Sequence, residues 1–305
     1  MAELKNAVCG SATASRIICL VERSVPESFS CWQPAPAQNL FVAAWGSGGI
    51  VDITPGGAQT TIATGLNQPG ELAFDSAGDL FEADYGAGNI YEFTPGGAQS
   101  TFASGLAGPV GLAFNSAGDL FVASRYGTII KITPDQVQST FATGLNFPYG
   151  LAFDTAGNLF ETDFYSGKVY EFTPAGVQSA FAAGLSNPQG LAFDSSGNLY
   201  VANVGNGTIT KITAGGVQST FASGVGGPVD LAFDSAGILF ETDGYAGNIY
   251  EFTPSGIKST FVSGLASPNG LAFQGITLPV PEPATWGLLA VGIGALLIRR
   301  RQLAA

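Results

Sequence analysis

A repeat of about 40 residues runs through most of the chain and constrains its fold more than any other feature. The tripeptide Leu-Ala-Phe marks each copy, and successive copies lie 40 residues apart, except for one step of 39 residues. The copies begin at Leu72, Leu112, Leu151, Leu191, Leu231 and Leu271. A fixed period of this length is typical of an architecture built from one supersecondary unit per repeat.

Each unit contains four short apolar runs separated by turn residues. In the unit from Gly70 to Pro109 the runs are LAF, LFEAD, IYEF and STFAS, and the separators are DSAG, YGAG and TPGGAQ. Short runs at roughly ten-residue spacing predict the strands of a meander. Four antiparallel strands in about 40 residues predict one blade of a β-propeller.

The two ends of the repeat region predict how the propeller closes. The first unit begins at Asn39 without its LAF run, and the last LAF run, at Leu271–Phe273, has no unit after it. If the last run completes the first unit, two unpaired sheet edges disappear. We therefore predict an all-β fold in residues 38–275, a six-bladed propeller closed by the C-terminal LAF strand.

A second pattern alternates from blade to blade. Three blades carry a glutamate in the second strand where the other three carry valine. The acids are Glu82, Glu161 and Glu241, and the valines are Val42, Val122 and Val201. A charge in this position needs a partner if it is buried. We expect a cross-strand tyrosine (Tyr91, Tyr170 or Tyr250) or a neighbouring lysine (Lys131 or Lys211) as that partner, and a cation or sugar site is the alternative.

Charge and composition exclude several classes of function. The 305 residues carry a formal net charge of −12, which disfavours binding to nucleic acid. The chain has no histidine, which excludes histidine bases and histidine metal ligands. Its three cysteines all lie before the repeats and form no readable disulfide or metal motif.

Candidate binding residues lie in the loops that follow each second strand and precede each first strand. If these loops share one face of the propeller, they surround the mouth of a central channel. Oxygen ligands suit Ca²⁺ or Mg²⁺, and aromatic rings suit a carbohydrate, whereas the alternative is a solvated loop face. The candidate ligand or metal residues are Asp84, Asp163, Asn203, Asp230 and Asp243. The candidate aromatic contacts are Trp45, Tyr126, Tyr149, Tyr165 and Tyr245, and further residues in the same positions are Glu71, Arg125, Gln189 and Asn269.

The stretch GLNQPGELAFDSAGDLFEADYGAGNIYEFTPGG resembles NHL-type and SMP-30/gluconolactonase-like propeller repeats. The lactonase-like resemblance implies Glu, Asn and Asp around a divalent metal in the channel, for which Asp163, Asn203, Asp230 and Asp243 are the nearest candidates. Streptogramin lyases are similar in repeat form, but their chemistry relies on histidine, which this chain lacks. Shared repeats indicate fold far better than activity.

The C-terminus resembles a PEP-CTERM sorting signal. Its matching residues are Val280, Pro281, Glu282, Pro283, Arg299, Arg300 and Arg301. The apolar run between them is near the short limit for crossing a hydrocarbon core of about 30 Å, and its arginines would stay cytoplasmic. We predict a linker over 276–283 and a transmembrane helix with a basic tail over 284–305; an ordinary membrane anchor is the alternative. The resemblance implies recognition by an exosortase, a precursor in the inner membrane and an exported product.

Residues 1–37 do not read as a normal export signal. Their longest apolar run, IICLV, is only five residues long, although the APA at Ala35–Ala37 looks like a signal-peptidase site. We interpret this segment as an irregular leader and expect a misassigned start or a frameshifted signal peptide.

These features together favour a non-catalytic binding or scaffold module at the cell surface or in the extracellular matrix. Its expected partners are the exosortase and a carbohydrate such as an extracellular polysaccharide. The second hypothesis is a divalent-metal-dependent hydrolase of the lactonase type, and the third is a purely structural role.

Overall fold

The computed structural model describes residues 38–275, which form 24 β-strands in six four-stranded antiparallel sheets. The predicted six-bladed propeller is therefore confirmed. The predicted leader, linker and C-terminal transmembrane helix lie outside the described residues. Within 38–275 there is no helix long and apolar enough to span a membrane.

The strands follow the four apolar runs of each repeat. Blade 1 contains β1 (Leu40–Ala44), β2 (Gly49–Ile53), β3 (Gln59–Thr64) and β24 (Pro268–Phe273). Blade 2 contains β4 (Pro69–Phe74), β5 (Leu80–Asp84), β6 (Asn89–Phe93) and β7 (Gln99–Ala103). Blade 3 contains β8 (Pro109–Phe114), β9 (Leu120–Ser124), β10 (Thr128–Ile132) and β11 (Gln138–Thr143). Blade 4 contains β12 (Pro148–Phe153), β13 (Leu159–Asp163), β14 (Lys168–Phe172) and β15 (Gln178–Ala183). Blade 5 contains β16 (Pro188–Phe193), β17 (Leu199–Asn203), β18 (Thr208–Ile212) and β19 (Gln218–Ser223). Blade 6 contains β20 (Pro228–Phe233), β21 (Leu239–Asp243), β22 (Asn248–Phe252) and β23 (Lys258–Ser263).

Blade 1 is assembled from both ends of the repeat region, as the sequence predicts. Its strand order is β24-β1-β2-β3, and Leu40 pairs with Phe273. The Gln274 N–H donates to the Asn39 carbonyl at 3.3 Å, just outside the paired strands. This pairing removes the two edges that an open array of blades would leave.

Blades pack on one another through aromatic side chains from successive sheets. Phe81 of blade 2 meets Phe102 of its own blade at 5.0 Å and Phe114 of blade 3 at 4.9 Å between ring centroids, both edge to face. Phe121, Phe160, Tyr200 and Phe240 make the same pair of contacts in blades 3 to 6. Such pairs add about 0.5–1.5 kcal/mol each to the burial of their area.

The alternating glutamates lie in the interior of the blades. Each is 0% exposed, and each pairs in register with the expected tyrosine, as Glu82 does with Tyr91. The expected hydrogen bond is nevertheless absent, since neither oxygen of Glu82, Glu161 or Glu241 has a partner among the described residues.

The expected partners of these glutamates are engaged elsewhere. The Tyr91 hydroxyl accepts a hydrogen bond from Asn89 Nδ2 at 3.0 Å. Asn89 begins the strand that contains Tyr91, so the tyrosine hydroxyl lies beyond the glutamate, near the start of β6. The two lysines pair instead with Asp119 and Asp194, at 2.8 Å for Lys131 and 3.6 Å for Lys211. The prediction of a tyrosine or lysine partner was therefore wrong.

Burial is the main reason why the pKa of each glutamate lies well above its usual range. The nearby Asp84, Asp163 or Asp243 adds to the rise. For Glu82 the nearby Gly70 N–H offsets part of this rise. A raised pKa means that the glutamate holds its proton inside the blade, where a carboxylic acid costs far less than an unpaired charge.

Replacing Glu161 by valine, the residue found at the matching position Val201, should make folding stability less dependent on pH. Glu161 stabilises the fold fully only below its unfolded pKa of about 4.3, and this contribution is lost as pH rises toward the raised folded pKa. Urea unfolding across this range should show a falling free energy of unfolding for the wild type and a smaller fall for Glu161→Val.

Glu161→Gln is the matched variant for this experiment. It should also lose the pH dependence, but it should be less stable than Glu161→Val at every pH, because it buries an unpaired amide. An unchanged slope in both variants would show that Glu161 does not titrate in this range.

Candidate functional site

The loops that follow each second strand and precede each first strand form one face of the propeller, called here the upper face. In blade 2 the Tyr85 N–H donates to Gln68 O at 3.3 Å and the Gly86 N–H donates to Asn67 O at 2.8 Å. Equivalent bonds join the two loops in the other blades. The expectation that both sets of loops share a face is confirmed.

Three of the candidate metal ligands hold these loops together within their own blades. Asp84 accepts the N–H groups of Asn67 and Ala87, both at 2.8 Å. Asp163 does the same in blade 4, and Asp243 in blade 6. Each of these aspartates is 1% exposed. Their oxygens therefore replace the backbone acceptors that a tight loop lacks.

Asn203 occupies the same position in blade 5 and has a similar role. Its Oδ1 accepts the Ser186 N–H at 3.4 Å, and its Nδ2 donates to Thr210 Oγ1 at 2.9 Å. These four residues thus belong to four different blades and are engaged locally. Residues 38–275 contain no group of three or more acidic or cysteine side chains placed to hold a metal ion. The separate placement of these four residues does not fit the single divalent-metal centre that the lactonase resemblance implies.

The first strand of each blade, which carries the LAF run, is called here the inner strand. Acids on two of the six inner strands break the symmetry of the channel. Glu71 and Asp230 occupy a position that is glycine in the other four blades, as at Gly111. Asp230 Oδ2 accepts the Leu271 N–H of the next blade at 2.8 Å, and Glu71 Oε2 accepts the Leu112 N–H at 2.7 Å. Each carboxyl group therefore ties its inner strand to the following one.

Burial controls the protonation of this pair. It raises the pKa of Asp230 to about 7, although the N–H groups of Leu271 and Leu231 favour the charged form. Burial, and then the negative charge of Asp230, raises the pKa of Glu71 well above its usual range. Both carboxyl groups therefore hold their protons to higher pH than exposed acids do. Asp230 is a candidate ligand from the sequence and Glu71 a further residue in the same position, but the spacing of the repeat does not report that the two acids couple.

Tyr149 spans the axis of the propeller above this pair. Its hydroxyl donates to Asn269 Oδ1 at 3.2 Å, and these residues come from blades 4 and 1, which lie opposite each other in the ring of six. Tyr149 is 5% exposed and Asn269 is 7% exposed. Burial raises the pKa of Tyr149, and nearby Arg125 offsets part of that rise. Tyr149 therefore acts as a plug at the upper end of the channel rather than as an open stacking surface.

Arg125 lies among four aromatic rings at the mouth of the channel. Its Cζ is 4.8 Å from the ring centroid of Phe147, 4.9 Å from Tyr85, 5.1 Å from Tyr149 and 5.4 Å from Trp45. The loop that carries it, residues 125–127, is one residue shorter than the equivalent loops, which explains the single 39-residue step in the repeat. The cation is thus set where the rings can stabilise it through their negative faces.

Aromatic side chains extend from this cluster across blades 1 to 4. We call Trp45, Tyr85, Tyr126, Phe147 and Tyr165 the aromatic band. Trp45 lies 5.6 Å from Tyr85, and Phe147 lies 5.0 Å from Tyr165, between ring centroids. Tyr126 and Tyr165 are 71% and 62% exposed. Tyr245 is 80% exposed, but it lies on blade 6, against Gly227 and outside the band.

The upper face differs from the lower face in charge. The twelve loops of the upper face contain no Asp or Glu, and Arg125 is their single charged residue. The lower face has a broad depression of about 1330 Å³, lined by phenylalanines and by the turns at Asp154, Asp194 and Asp234. These turn acids accept N–H groups of their own turns, as Asp154 does from Ala156 at 2.9 Å. The acids that line the lower depression therefore have the same structural role in several blades. The upper face instead carries residues without an equivalent in the other blades, such as Arg125.

Comparison with known proteins identifies two motifs in the sequence. Residues 185–212 match the NHL repeat model, and residues 279–301 match the model of the PEP-CTERM protein-sorting motif. Both agree with the resemblances seen in the sequence. No curated protein sequence matches the chain.

Solved structures share the fold at low sequence identity. A chain of a nidogen/laminin complex has a TM-score of 0.72 and 20% identity, covering 78% of this chain and 98% of that one. Virginiamycin B lyase from Staphylococcus aureus has a TM-score of 0.64 and 18% identity, covering 80% and 87%. A gluconolactonase from Xanthomonas campestris has a TM-score of 0.61 and 20% identity, covering 75% and 88%. Enzymes and a protein complex thus share this propeller, so the fold does not choose between catalysis and binding.

Replacing Asp163 by alanine should destabilise the propeller by about 2 kcal/mol, because two hydrogen bonds to a charged acceptor are lost. Urea unfolding of the full-length chain measures this change, and repeating it with millimolar Ca²⁺ or Mg²⁺ tests the alternative role of Asp163 as a ligand. We expect neither cation to shift the wild-type midpoint. A cation-dependent rise that disappears in Asp163→Ala would contradict the role in the loops.

Replacing Asp230 by asparagine should remove a pH dependence of stability. Asp230 contributes fully below its unfolded pKa of about 3.9, and the contribution is lost as pH rises to the folded pKa of about 7. Thermal unfolding of Asp230→Asn should therefore vary less than that of the wild type between these two values. If both proteins lose stability equally, Asp230 is not the titrating group.

Proposed function

We propose that the chain is an exported, non-catalytic binding module that holds a saccharide on the aromatic band of its upper face. The PEP-CTERM protein-sorting motif supports sorting and export through an exosortase, with a membrane-anchored precursor. On this proposal the propeller works at the cell surface or in the surrounding matrix after processing.

The composition of the upper face is the observation that carries the proposal. Its loops combine exposed Tyr rings and half-buried Trp and Phe rings with Gly, Ser and Asn, and contain no carboxylate. Rigid aromatic rings supply contact area at little entropic cost, and small polar residues supply adaptable hydrogen bonds. A shallow band of flat rings suits the C–H faces of sugar rings, whose hydroxyl groups can bond the small polar residues beside them.

The acids that a hydrolase would need form hydrogen bonds with backbone N–H groups. Asp84, Asp163 and Asp243 are engaged with loop N–H groups in separate blades, and Glu71 and Asp230 bind inner-strand N–H groups on the channel side of Tyr149. These hydrogen bonds to backbone N–H groups favour a structural role for the five acids over the metal-dependent lactonase hypothesis.

Two exposed tyrosines of the band should be required for saccharide binding. Full-length wild-type chain in mild detergent, screened on a glycan array, should bind, and Tyr126→Ala and Tyr165→Ala should each weaken binding about tenfold or more. Tyr245→Ala is the matched control, because it removes an even more exposed tyrosine from the corresponding loop of blade 6.

Three outcomes would contradict the proposal. They are an absence of binding to any glycan, an equal loss in all three variants, and metal-dependent turnover of a lactone by the wild-type chain. The last of these would favour the lactonase hypothesis instead.

A further inference from the structure

We propose that Arg125 is a carboxylate-binding residue, and that the upper face therefore takes an acidic saccharide whose uronate carboxylate pairs with its guanidinium group. This inference rests on the proposed function and adds the chemical class of the ligand. Three observations carry it.

The first observation is that Arg125 has no acidic partner. The salt bridges among residues 38–275 are those of Lys131 with Asp119 and Lys211 with Asp194. The Nε of Arg125 is buried and donates no hydrogen bond to any described residue. Aromatic faces stabilise the charge, but they do not replace a hydrogen-bond acceptor for a buried N–H. The Tyr149 hydroxyl is a polar neighbour of the guanidinium group, but no carboxylate among residues 38–275 pairs with it.

The second observation is the backbone strain beside Arg125. Phe147 precedes a proline at a position where the fold requires a positive φ, and its own φ is 70°. The equivalent residues in blades 1, 2, 3 and 5 also have a positive φ, and they are Ser267, Gln68, Gly108 and Asn187. The conformation therefore belongs to the repeat, and only blade 4 places an aromatic side chain in it, at a cost of about 1–3 kcal/mol. What the phenylalanine adds is its ring, 4.8 Å from the Arg125 guanidinium carbon.

The third observation is that the surrounding electrostatics suit one carboxylate rather than a polyanion. Arg125 is the single charged residue of the upper loops, and a planar guanidinium group matches a carboxylate through two parallel hydrogen bonds. The net charge of −12 opposes ligands with dense negative charge such as nucleic acids. The aspartates at the upper end of the blades accept loop N–H groups, which offset part of their negative charge.

A saccharide fits this site better than a peptide terminus does. The upper face is made of loops, so it offers no free strand edge to which a peptide could add. The aromatic band beside Arg125 instead offers flat rings on which the sugar bearing the carboxylate can lie.

The test compares digalacturonate with its dimethyl ester, in which the same sugar rings carry no charge. Calorimetric titration of the full-length chain in mild detergent should show the acid binding at least tenfold more tightly than the ester. Arg125→Gln should remove this preference, and Arg125→Lys should retain only part of it, because lysine lacks the planar fork. Lys168→Gln is the matched control, since it removes the cation at the start of β14, outside the loops, and should change nothing.

Phe147→Gly separates ligand binding from folding. Glycine relieves the strain at a positive φ, so thermal stability should stay level or rise while affinity for digalacturonate falls. A structural role for this cluster predicts the opposite, namely a loss of stability without a change in binding.

The possible results separate this inference from the proposed function. Equal affinity for acid and ester would overturn the carboxylate role and leave saccharide binding intact. Binding of a peptide through its free C-terminal carboxylate, with no binding of digalacturonate, would overturn the saccharide assignment. If the chain binds neither sugar, the inference fails, and the glycan array decides whether the proposed function fails with it.

Discussion

The pairing of β24 with β1 is the interaction on which the rest of the structure depends. It joins residues more than 200 positions apart and turns a linear array of blades into a ring. Loop-closure entropy grows only slowly with length, so hydrogen bonds and packing at this seam can offset it. Closure also brings Asn269 on β24 across from Tyr149, which allows one side chain to close the channel at the axis.

Symmetry distinguishes structural residues from candidate functional residues in this ring. Groups that recur from blade to blade, such as the turn acids of the lower face and Asp84, Asp163 and Asp243, satisfy backbone N–H groups in their own blades. Groups that occur once serve no such need. Arg125 is carried by a loop that is shorter than its equivalents, and the Phe147 ring lies beside it at the channel mouth. We therefore place the site where the repeat is broken rather than where it is most regular.

Much of the fold could be predicted because the 40-residue repeat and the spacing of apolar runs within it determine where each strand forms. The four strands of each blade, the closing strand and the register of Glu82 with Tyr91 all follow from residue spacing. The contacts of side chains do not. Tyr91 forms a hydrogen bond with Asn89 instead of Glu82, and Asp163 accepts a loop N–H group instead of forming a metal site. Only the packed blade determines which hydrogen-bond donor lies within reach of each side chain. The aromatic cluster around Arg125 was not predicted, although the 39-residue step pointed to the blade that carries it.

The order of residues was enough to establish that this chain repeats, that the repeat is a four-stranded blade, that six blades close, and that a sorting motif follows them. Folding in three dimensions decided which of many similar loops meet. Arg125, Phe147 and Trp45 come from three different blades, and no spacing along the chain reports their approach. The physical reason is that most strands pair with their neighbours in sequence, whereas the cluster at the channel mouth is formed by residues of four blades.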